Sequence, residues 1–354
     1  MIAPLGAMLT MIPPPRGPES SAIAVVSPDE IVAPTRPPRL GPRDVAVVIN
    51  TTDPLSVAIG NYYVRARRIP ANNVARVKFA FQRADVPEAE FVALKAAVER
   101  QIGPRIQAYA LTWVRPYRVG CVSITYAFAV GDGEKFCSKG CSTTPLSPYF
   151  NTFTSRPFED LHVRPTMSIA AVDFEHARAL IDRGVSADGT TPLGTAYLLL
   201  TRDQARNVRS AEYPQVPLVT AGTPVHTEVV PDTSVGKHTD ILFYFIGAAS
   251  VPDLAGNRFL PGAMADHLTS FGGMLTDSPQ MSSLRWLEAG ATGSYGTVVE
   301  PCNFLGKFPN IAVAMSHYLT GETLLEAYWK SVAMPAQGLF IGEPLAAPFK
   351  PRAP

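Results

Sequence analysis

The sequence of 354 residues lacks a charge imbalance. Its 31 basic and 30 acidic residues leave a formal net charge of +1, and no stretch gathers the basic residues into a stripe. A protein that binds nucleic acid normally carries such a basic surface, because contacts to phosphates supply much of its affinity. We therefore expect no nucleic-acid partner.

Long apolar runs are also missing. Hydrophobic residues make up 46% of the chain, but no run approaches the roughly 18–20 residues that a helix needs to span a bilayer. A chain of this length can instead bury a large globular core. We expect no transmembrane segment.

The glycine patterns of nucleotide-binding proteins are absent. No G-x-G-x-x-G follows a predicted strand, and the chain has no G-x₄-G-K-[ST]. These patterns let backbone amides approach phosphates closely, so their absence argues against a nucleotide. We expect no cofactor. No G-x-S-x-G nucleophile elbow surrounds any serine either.

Proline, by contrast, is abundant. Ten of the 34 prolines fall within the first 42 residues, in stretches such as "MIPPPRGPES". Proline neither continues a helix nor donates to a sheet ladder, so residues 1–42 are expected to form an extended or disordered leader. The weakly apolar "IAPLGAML" leaves open a remnant of an export signal, although no basic region precedes it.

From residue 44 onward, strand-like and helix-like segments alternate. The β-branched run "VAVVIN" is followed by a helical pattern, and this alternation continues to the closing "GLFIG". Such an order predicts an α/β fold with a parallel-rich sheet and helices on both faces. The predicted domains are an N-terminal lobe over 43–165, with a cysteine-containing loop at 131–165, and a C-terminal lobe over 166–350.

Some element predictions bear on the site. The segment "VSITYAFAV" (122–130) has a strand-like composition, and "PGAMADHLTSFG" (261–272) has a helix-like one. The next two segments are predicted to be a strand, "GGMLTD", and a helix, "QMSSLRWLEAG". On this pattern His267 and His317 both lie on helices.

Polar residues follow several predicted strands, and ligands of parallel sheets gather beyond the carboxyl ends of strands. The strand ends carry Asp53, Asp277, Ser278, Glu300, Cys302, Asn303 and Glu343. We expect these side chains to share one edge of the sheet.

Four of these residues are candidates for catalysis: Asp277, Ser278, Glu300 and Cys302. Ser278 at a strand-to-helix turn could be a nucleophile, but a serine before proline more often caps a helix. Cys302 would need a base or a positive field to form a thiolate, and the nearest histidines in sequence are those on the predicted helices.

The four cysteines admit several states. Cys137 and Cys141 form a C-x₃-C pair that could be a local disulfide or two ligands of a zinc site with Cys121 or His162. Zinc commonly takes two close pairs of ligands, and only one such pair is present. Two disulfides that also involve Cys121 and Cys302, and four free thiols, remain alternatives.

The second half of the chain resembles the gingipain-type cysteine peptidases, which have a caspase-like fold. The shared features are a strand ending in glycine ("ILFYFIG"), "GATGSYG", "GETLLEAYWKS" and the closing "LFIGEPL". The resemblance implies a catalytic histidine just after Gly247 and a nucleophile after the next strand. Those positions hold Ala248 and, on the predicted strands, Asp277 or Ser278, so neither the histidine nor the thiol is present.

Nearly the whole chain also resembles a family of bacterial proteins of unestablished activity. The segments that carry this resemblance are "DPLSVAIGNYY", "RFLPGAMADHLTSFGG", "GSYGTVVEP" and "GLFIGEPLAAPF". Members of that family are commonly exported, which implies a periplasmic or extracellular location.

Three functions fit these features. The favoured one is a non-peptidase binding protein on a caspase-like fold, with a protein or cell-envelope partner, because no nucleophile and base can be paired. The alternatives are a hydrolase that uses the polar residues at the sheet edge, and a structural envelope protein with the proline-rich segment as its spacer. Whether the protein is an enzyme stays open at this point.

Overall fold

The computed structural model describes residues 39–131, 136–138 and 141–351. Of the predicted leader, 1–42, only the last four residues lie within these ranges. The described chain forms one ten-stranded sheet in the order β2-β1-β3-β6-β12-β11-β10-β9-β7-β8, with helices packed around it. The predicted α/β class with a parallel-rich sheet is confirmed.

The first part of the chain supplies four neighbouring parallel strands. They are β1 (Val45–Asn50), β2 (Val74–Val77), β3 (Ala108–Leu111) and β6 (Thr166–Ser168). The helices of this part are α1 (Pro54–Arg67), α2 (Glu88–Glu99), α3 (Ile124–Val130) and α4 (Pro157–Leu161), and a short hairpin pairs β4 (Arg118–Val119) with β5 (Val122–Ser123).

The second part supplies the other six strands of the sheet. They are β7 (Gly194–Leu199), β8 (Val225–Val230), β9 (Ile241–Gly247), β10 (Phe259–Leu268), β11 (Gly293–Thr297) and β12 (Gly338–Gly342). The helices are α5 (Phe174–Ala187), α6 (Val216–Thr220), α7 (Leu284–Ala289), α8 (Ile311–Leu319) and α9 (Leu324–Ser331), and a 3₁₀ segment spans Asn207–Gln215.

One pair of neighbouring strands in the sheet is antiparallel. All neighbouring strands are parallel except β11 and β12, which pair antiparallel with Gly293 opposite Gly342 and Thr297 opposite Gly338. A single bridge, between Ile341 and Ser168, joins β12 to β6, and β11 is parallel to β10. The residues that follow β12 therefore lie at the opposite end of the strands from the residues that follow β11.

Both faces of the central strands are buried. Along β9, Leu242, Phe243 and Phe245 belong to the main apolar cluster, and Tyr244 and Ile246 belong to a smaller cluster on the other face. This explains the unbroken apolar run of "ILFYFIG", because a strand covered on both sides shows no polar alternation. No helix in the described ranges has the length and apolarity required to traverse a bilayer.

Several predicted elements were wrong. The segment 122–130 is mostly helix α3, whose N-cap Ser123 accepts a hydrogen bond from the Tyr126 N–H. The predicted helix at 261–272 is strand β10, and the following "GGMLTD" forms turns. The predicted helix over "QMSSLRWLEAG" is confined to α7. The prediction also missed β8, which forms one edge of the sheet.

Candidate functional site

The candidate site lies beyond the carboxyl ends of the adjacent strands β9 and β10. Strand β9 ends at Gly247, and Ala248 and Ala249 follow. A Cβ at Gly247 would collide with the backbone carbonyl of Arg206, so this position requires glycine. The glycine thus allows the 3₁₀ segment Asn207–Gln215 to pack directly against the end of the strand.

A cavity of about 720 Å³ opens between the loops that follow these two strands. Apolar side chains supply much of its wall, among them Val251, Leu254, Leu275 and Met281. A cavity of this size and largely apolar character falls within the usual range for small-ligand sites. Its lining begins at Ser250, three residues after the end of β9, so it lies where ligands of parallel sheets gather.

Polar groups at the cavity are mostly uncharged. They include Ser278 and Gln280. Arg285 and Glu288 on α7 also contribute, and their side chains pair at 2.6 Å. The cavity therefore offers neutral hydrogen-bonding groups and one internally compensated ion pair.

His267 is the histidine nearest this site in sequence, and its side chain is fixed. It lies on β10, rather than on the predicted helix, and is buried. Its Nδ1 accepts a hydrogen bond from Trp286 Nε1 at 2.9 Å, so Nε2 carries the proton that is donated to the Met281 carbonyl at 2.9 Å. Burial lowers the pKa of His267 to about 4. Both ring nitrogens are occupied, and His267 has no lone pair free to act as a general base.

The structure places Ser278 on the cavity wall, but not as a helix cap. Its hydroxyl accepts a hydrogen bond from the Gln280 N–H at 3.1 Å, and α7 begins only at Leu284. The predicted N-cap at Ser278 is therefore wrong, because the serine closes a local turn instead.

Asp277, the next candidate, turns away toward the first part of the chain. Its carboxylate accepts a hydrogen bond from the Tyr117 hydroxyl at 2.7 Å. Burial and this contact with Asp277 raise the pKa of Tyr117. Arg115 also contacts Thr276. The loops after β3 and β10 thus meet at the candidate site.

Glu300 and Cys302 follow β11 and contact each other. The Glu300 carboxylate accepts a hydrogen bond from the Cys302 N–H at 2.8 Å. Cys302 and Asn303 have φ values of 58° and 54°, in the left-handed region. Cys302 forms a disulfide with Cys141, with Cα atoms 5.4 Å apart, so in this state it has no thiolate.

The other two cysteines, Cys121 and Cys137, form a second disulfide with Cα atoms 5.6 Å apart. The proposed zinc ligands Cys137 and Cys141 therefore belong to different disulfides, and a disulfide sulfur is not a thiolate ligand. Within residues 39–131, 136–138 and 141–351, no group of three His, Cys, Asp or Glu side chains could hold a metal ion.

Two strand-end residues lie away from the site, and the prediction of one shared edge was wrong for Glu343. Because β12 runs antiparallel to β11, the Glu343 N–H donates to the Thr292 carbonyl at the beginning of β11. The Glu343 carboxylate is buried against Arg67, whose Nε lies 2.9 Å away. Asp53 caps α1 by accepting a hydrogen bond from the Leu55 N–H.

Residues 259–268 form strand β10 rather than part of a helix, so the position predicted for the nucleophile was also wrong. Since β10 ends at Leu268, the residues after that strand are Thr269 and Ser270, not Asp277 and Ser278. The Thr269 hydroxyl donates to Gln280 Oε1 at 2.6 Å and accepts from Arg206 Nε at 3.1 Å. A strand assignment for residues 259–268 would have pointed to these residues.

Comparison with solved structures gives a similar fold. A structure described as "Structure of Protease" matches this chain with a TM-score of 0.51 at 11% sequence identity, covering 88% of this chain and 79% of that one. No known family model matches the chain, and no curated protein matches it. At this identity the likeness concerns the fold alone.

Proposed function

We propose that this protein is a non-peptidase binding protein on a caspase-like fold, and that its ligand occupies the cavity beyond β9 and β10. The observation that carries the proposal is the absence of a base at the end of β9, where Ala248 and Ala249 precede the cavity-lining residues Ser250 and Val251. An alanine side chain cannot accept a proton. His267 does not replace the base, because both of its ring nitrogens are engaged.

The character of the cavity suggests the chemistry of the ligand. Val251, Leu254, Leu275 and Met281 offer an apolar wall, and Gln280 can hydrogen-bond to amide groups. A peptide segment that inserts one apolar side chain matches this combination. Burial of such a side chain contributes about 1.5–3 kcal/mol to binding.

The test is a defined peptide array probed with the purified protein and with the variant Ala255→Trp. Ala255 lines the cavity, and an indole there would occupy part of it and narrow the space left for a ligand side chain. We expect peptides with a central apolar residue to bind the wild type and not the variant. Equal binding to both proteins would place recognition elsewhere and contradict the proposal. The matched control is Ala221→Trp, outside the cavity.

A hydrolase is the second candidate, because the Ser278 hydroxyl lines the same cavity. Its test uses fluorogenic peptides with and without a reductant that opens the Cys141–Cys302 disulfide. Hydrolysis that Ser278→Ala or Cys302→Ala abolishes would establish the hydrolase. We expect no hydrolysis above that of a heat-denatured sample in either condition.

We further propose that the protein works outside the cytoplasm. Two disulfides support this location, because disulfides persist in oxidising compartments and are rare in reducing ones. Alkylation of the protein in intact cells, followed by intact-mass measurement, tests it. Four alkylated thiols would refute the proposed location, whereas none would support it.

A further inference from the structure

The two outermost strands of the ten-stranded sheet, β2 and β8, differ in how their outward backbone groups are protected. At the β2 edge, the Gln101 side chain pairs with the backbone of Arg76. Its Oε1 accepts from the Arg76 N–H at 2.9 Å, and its Nε2 donates to the Arg76 carbonyl at 3.0 Å. An amide side chain thus occupies the backbone groups to which another strand would pair.

The β8 edge has no comparable cover in the described part of the chain. The carbonyls of Pro224 and Val230 accept from β7, from Gly194 and Leu200 respectively. Even-numbered residues of β8 therefore direct their backbone groups toward β7, and odd-numbered residues direct theirs outward, since the direction alternates along a strand.

The outward groups belong to Val225, Thr227 and Val229. The Val225 N–H donates to the Thr223 hydroxyl at 3.3 Å, its one acceptor in the described ranges. Among the residues that the structure describes, no backbone hydrogen bond to the outward groups of Thr227 or Val229 is present. An uncovered edge without proline, lysine or a bulge is able to pair with another strand.

The sequence of β8 is complementary to itself in antiparallel orientation. Within "VHTEV" (225–229), pairing about Thr227 places Val225 opposite Val229 of a second copy, and His226 opposite Glu228. The three pairs formed by odd-numbered residues use the outward backbone groups. The two His–Glu pairs then fall at non-hydrogen-bonded positions, where side chains approach most closely.

We propose that β8 pairs antiparallel with β8 of a second copy of this chain, on a two-fold axis at Thr227, and so forms a continuous twenty-stranded sheet. His226 and Glu228 are exposed and complementary, because an imidazole N–H can donate to a carboxylate. A two-fold interface requires each surface to complement itself, and this five-residue stretch does so.

Helix α6 adds apolar surface beside the proposed axis. The hydroxyl of Thr220, at its end, lies 3.0 Å from the Thr227 hydroxyl, so α6 packs next to the centre of β8. Leu218 on the same helix is 79% exposed. In the dimer this side chain would lie near its own copy and lose part of its exposure to water.

The experiment measures the mass of the full chain in solution by light scattering over a dilution series. We expect twice the chain mass of 38.1 kDa at high concentration. His226→Glu places two like-charge pairs across the axis and should raise the dissociation constant about tenfold. The swap His226→Glu with Glu228→His restores two His–Glu pairs and should restore the dimer.

Thr227→Pro is a second probe. Its N–H points outward, so proline there removes a hydrogen bond of the proposed pair but none to β7. We expect circular dichroism to show a folded chain and light scattering to show a monomer. The control Glu175→His, at an exposed position of α5, should stay dimeric. A monomeric wild type at its highest soluble concentration, or a dimer that neither the charge reversal nor Thr227→Pro weakens, overturns the proposal.

Discussion

At the scale of single residues, His267 shows how burial determines what a side chain can do. Its imidazole accepts from Trp286 and donates to Met281, so the fold binds only the neutral ring. Protonation would place a hydrogen on Nδ1, opposite the indole N–H, and would bury a charge. The lowered pKa of His267, about 4, reflects mainly this burial.

A pH dependence of stability follows. An unperturbed histidine has a pKa near 6.5, so the unfolded chain takes up a proton at His267 before the folded chain does. The stabilisation by neutral His267 is therefore complete above pH 6.5 and is lost as pH falls toward 4. We expect this residue to account for about 2 kcal/mol of lost unfolding free energy between roughly pH 7 and pH 4.5.

The variant His267→Gln isolates this contribution. A glutamine can donate to the Met281 carbonyl and accept from Trp286 but does not titrate. Urea unfolding at several pH values should show a shallower loss of stability in the variant than in the wild type. His162→Asn, an exposed position with positive φ that asparagine tolerates, should leave the slope unchanged. Parallel pH profiles for wild type and His267→Gln would contradict the assignment.

At the scale of secondary-structure elements, helix α9 buries the acidic residue of its own capping box. Glu326 accepts hydrogen bonds from Thr323 at the N-cap and from the Leu40 N–H. Burial, then repulsion by Glu322, raises the pKa of Glu326 to about 7, against the attraction of Lys330. The folded state thus favours the protonated carboxyl, and its stabilisation is lost as pH rises from the unfolded value near 4.3 through 7.

Glu326→Gln should therefore become more stable relative to the wild type as pH rises. Glutamine resembles the protonated carboxyl and carries no charge at any pH. We expect the difference in unfolding free energy to change by about 2–3 kcal/mol between roughly pH 5 and pH 8, in favour of the variant. Urea unfolding at these pH values measures it, with Glu175→Gln at an exposed position of α5 as control. A constant difference would show that Glu326 is ionised throughout.

The alternation of elements was predictable from sequence, but β10 was not. Its "GAMAD" contains residues with high helix propensity or small side chains. In the structure Asp266 is buried and pairs with the buried Arg209 at 2.5 Å. A strand buried on both faces with such a pair lacks the alternation that identifies strands, and the partner lies 57 residues away.

Helix α3 illustrates the opposite error. The run "VSITYAFAV" is rich in β-branched and aromatic residues, which favour strands. Ser123 caps its N-terminus and also donates to the Gly338 carbonyl. The helix packs against β6 and β12, so tertiary contacts outweigh local propensity.

The site was predictable only in part, for a related reason. The end of β9 at Gly247 and the missing histidine could be read from consecutive residues. The cavity could not, because its wall combines the loops after β9 and β10 with α7. Ser278 also lies on that wall, and the fluorogenic-peptide assay tests whether it acts as a nucleophile.

At the scale of the whole molecule, a few long-range links join the first and second parts of the chain. Tyr117 hydrogen-bonds Asp277 beside the candidate site, and Arg67 pairs with Glu343 at the opposite edge of the sheet. The Cys141–Cys302 disulfide adds a covalent link between residues 161 apart, whereas Cys121 and Cys137 are separated by 16. Closing a longer loop removes more conformational entropy from the unfolded chain.

The double variant Cys141→Ser with Cys302→Ser should therefore lose more stability than Cys121→Ser with Cys137→Ser. Loop-closure entropy corresponds to about 5 kcal/mol for the longer loop and about 3 kcal/mol for the shorter. Urea unfolding of both variants against the oxidised wild type measures the two losses. Adding reductant to the wild type should reproduce the sum of both. A larger loss from the shorter loop would mean that native contacts near Cys121, rather than constraint of the unfolded chain, dominate the stabilisation.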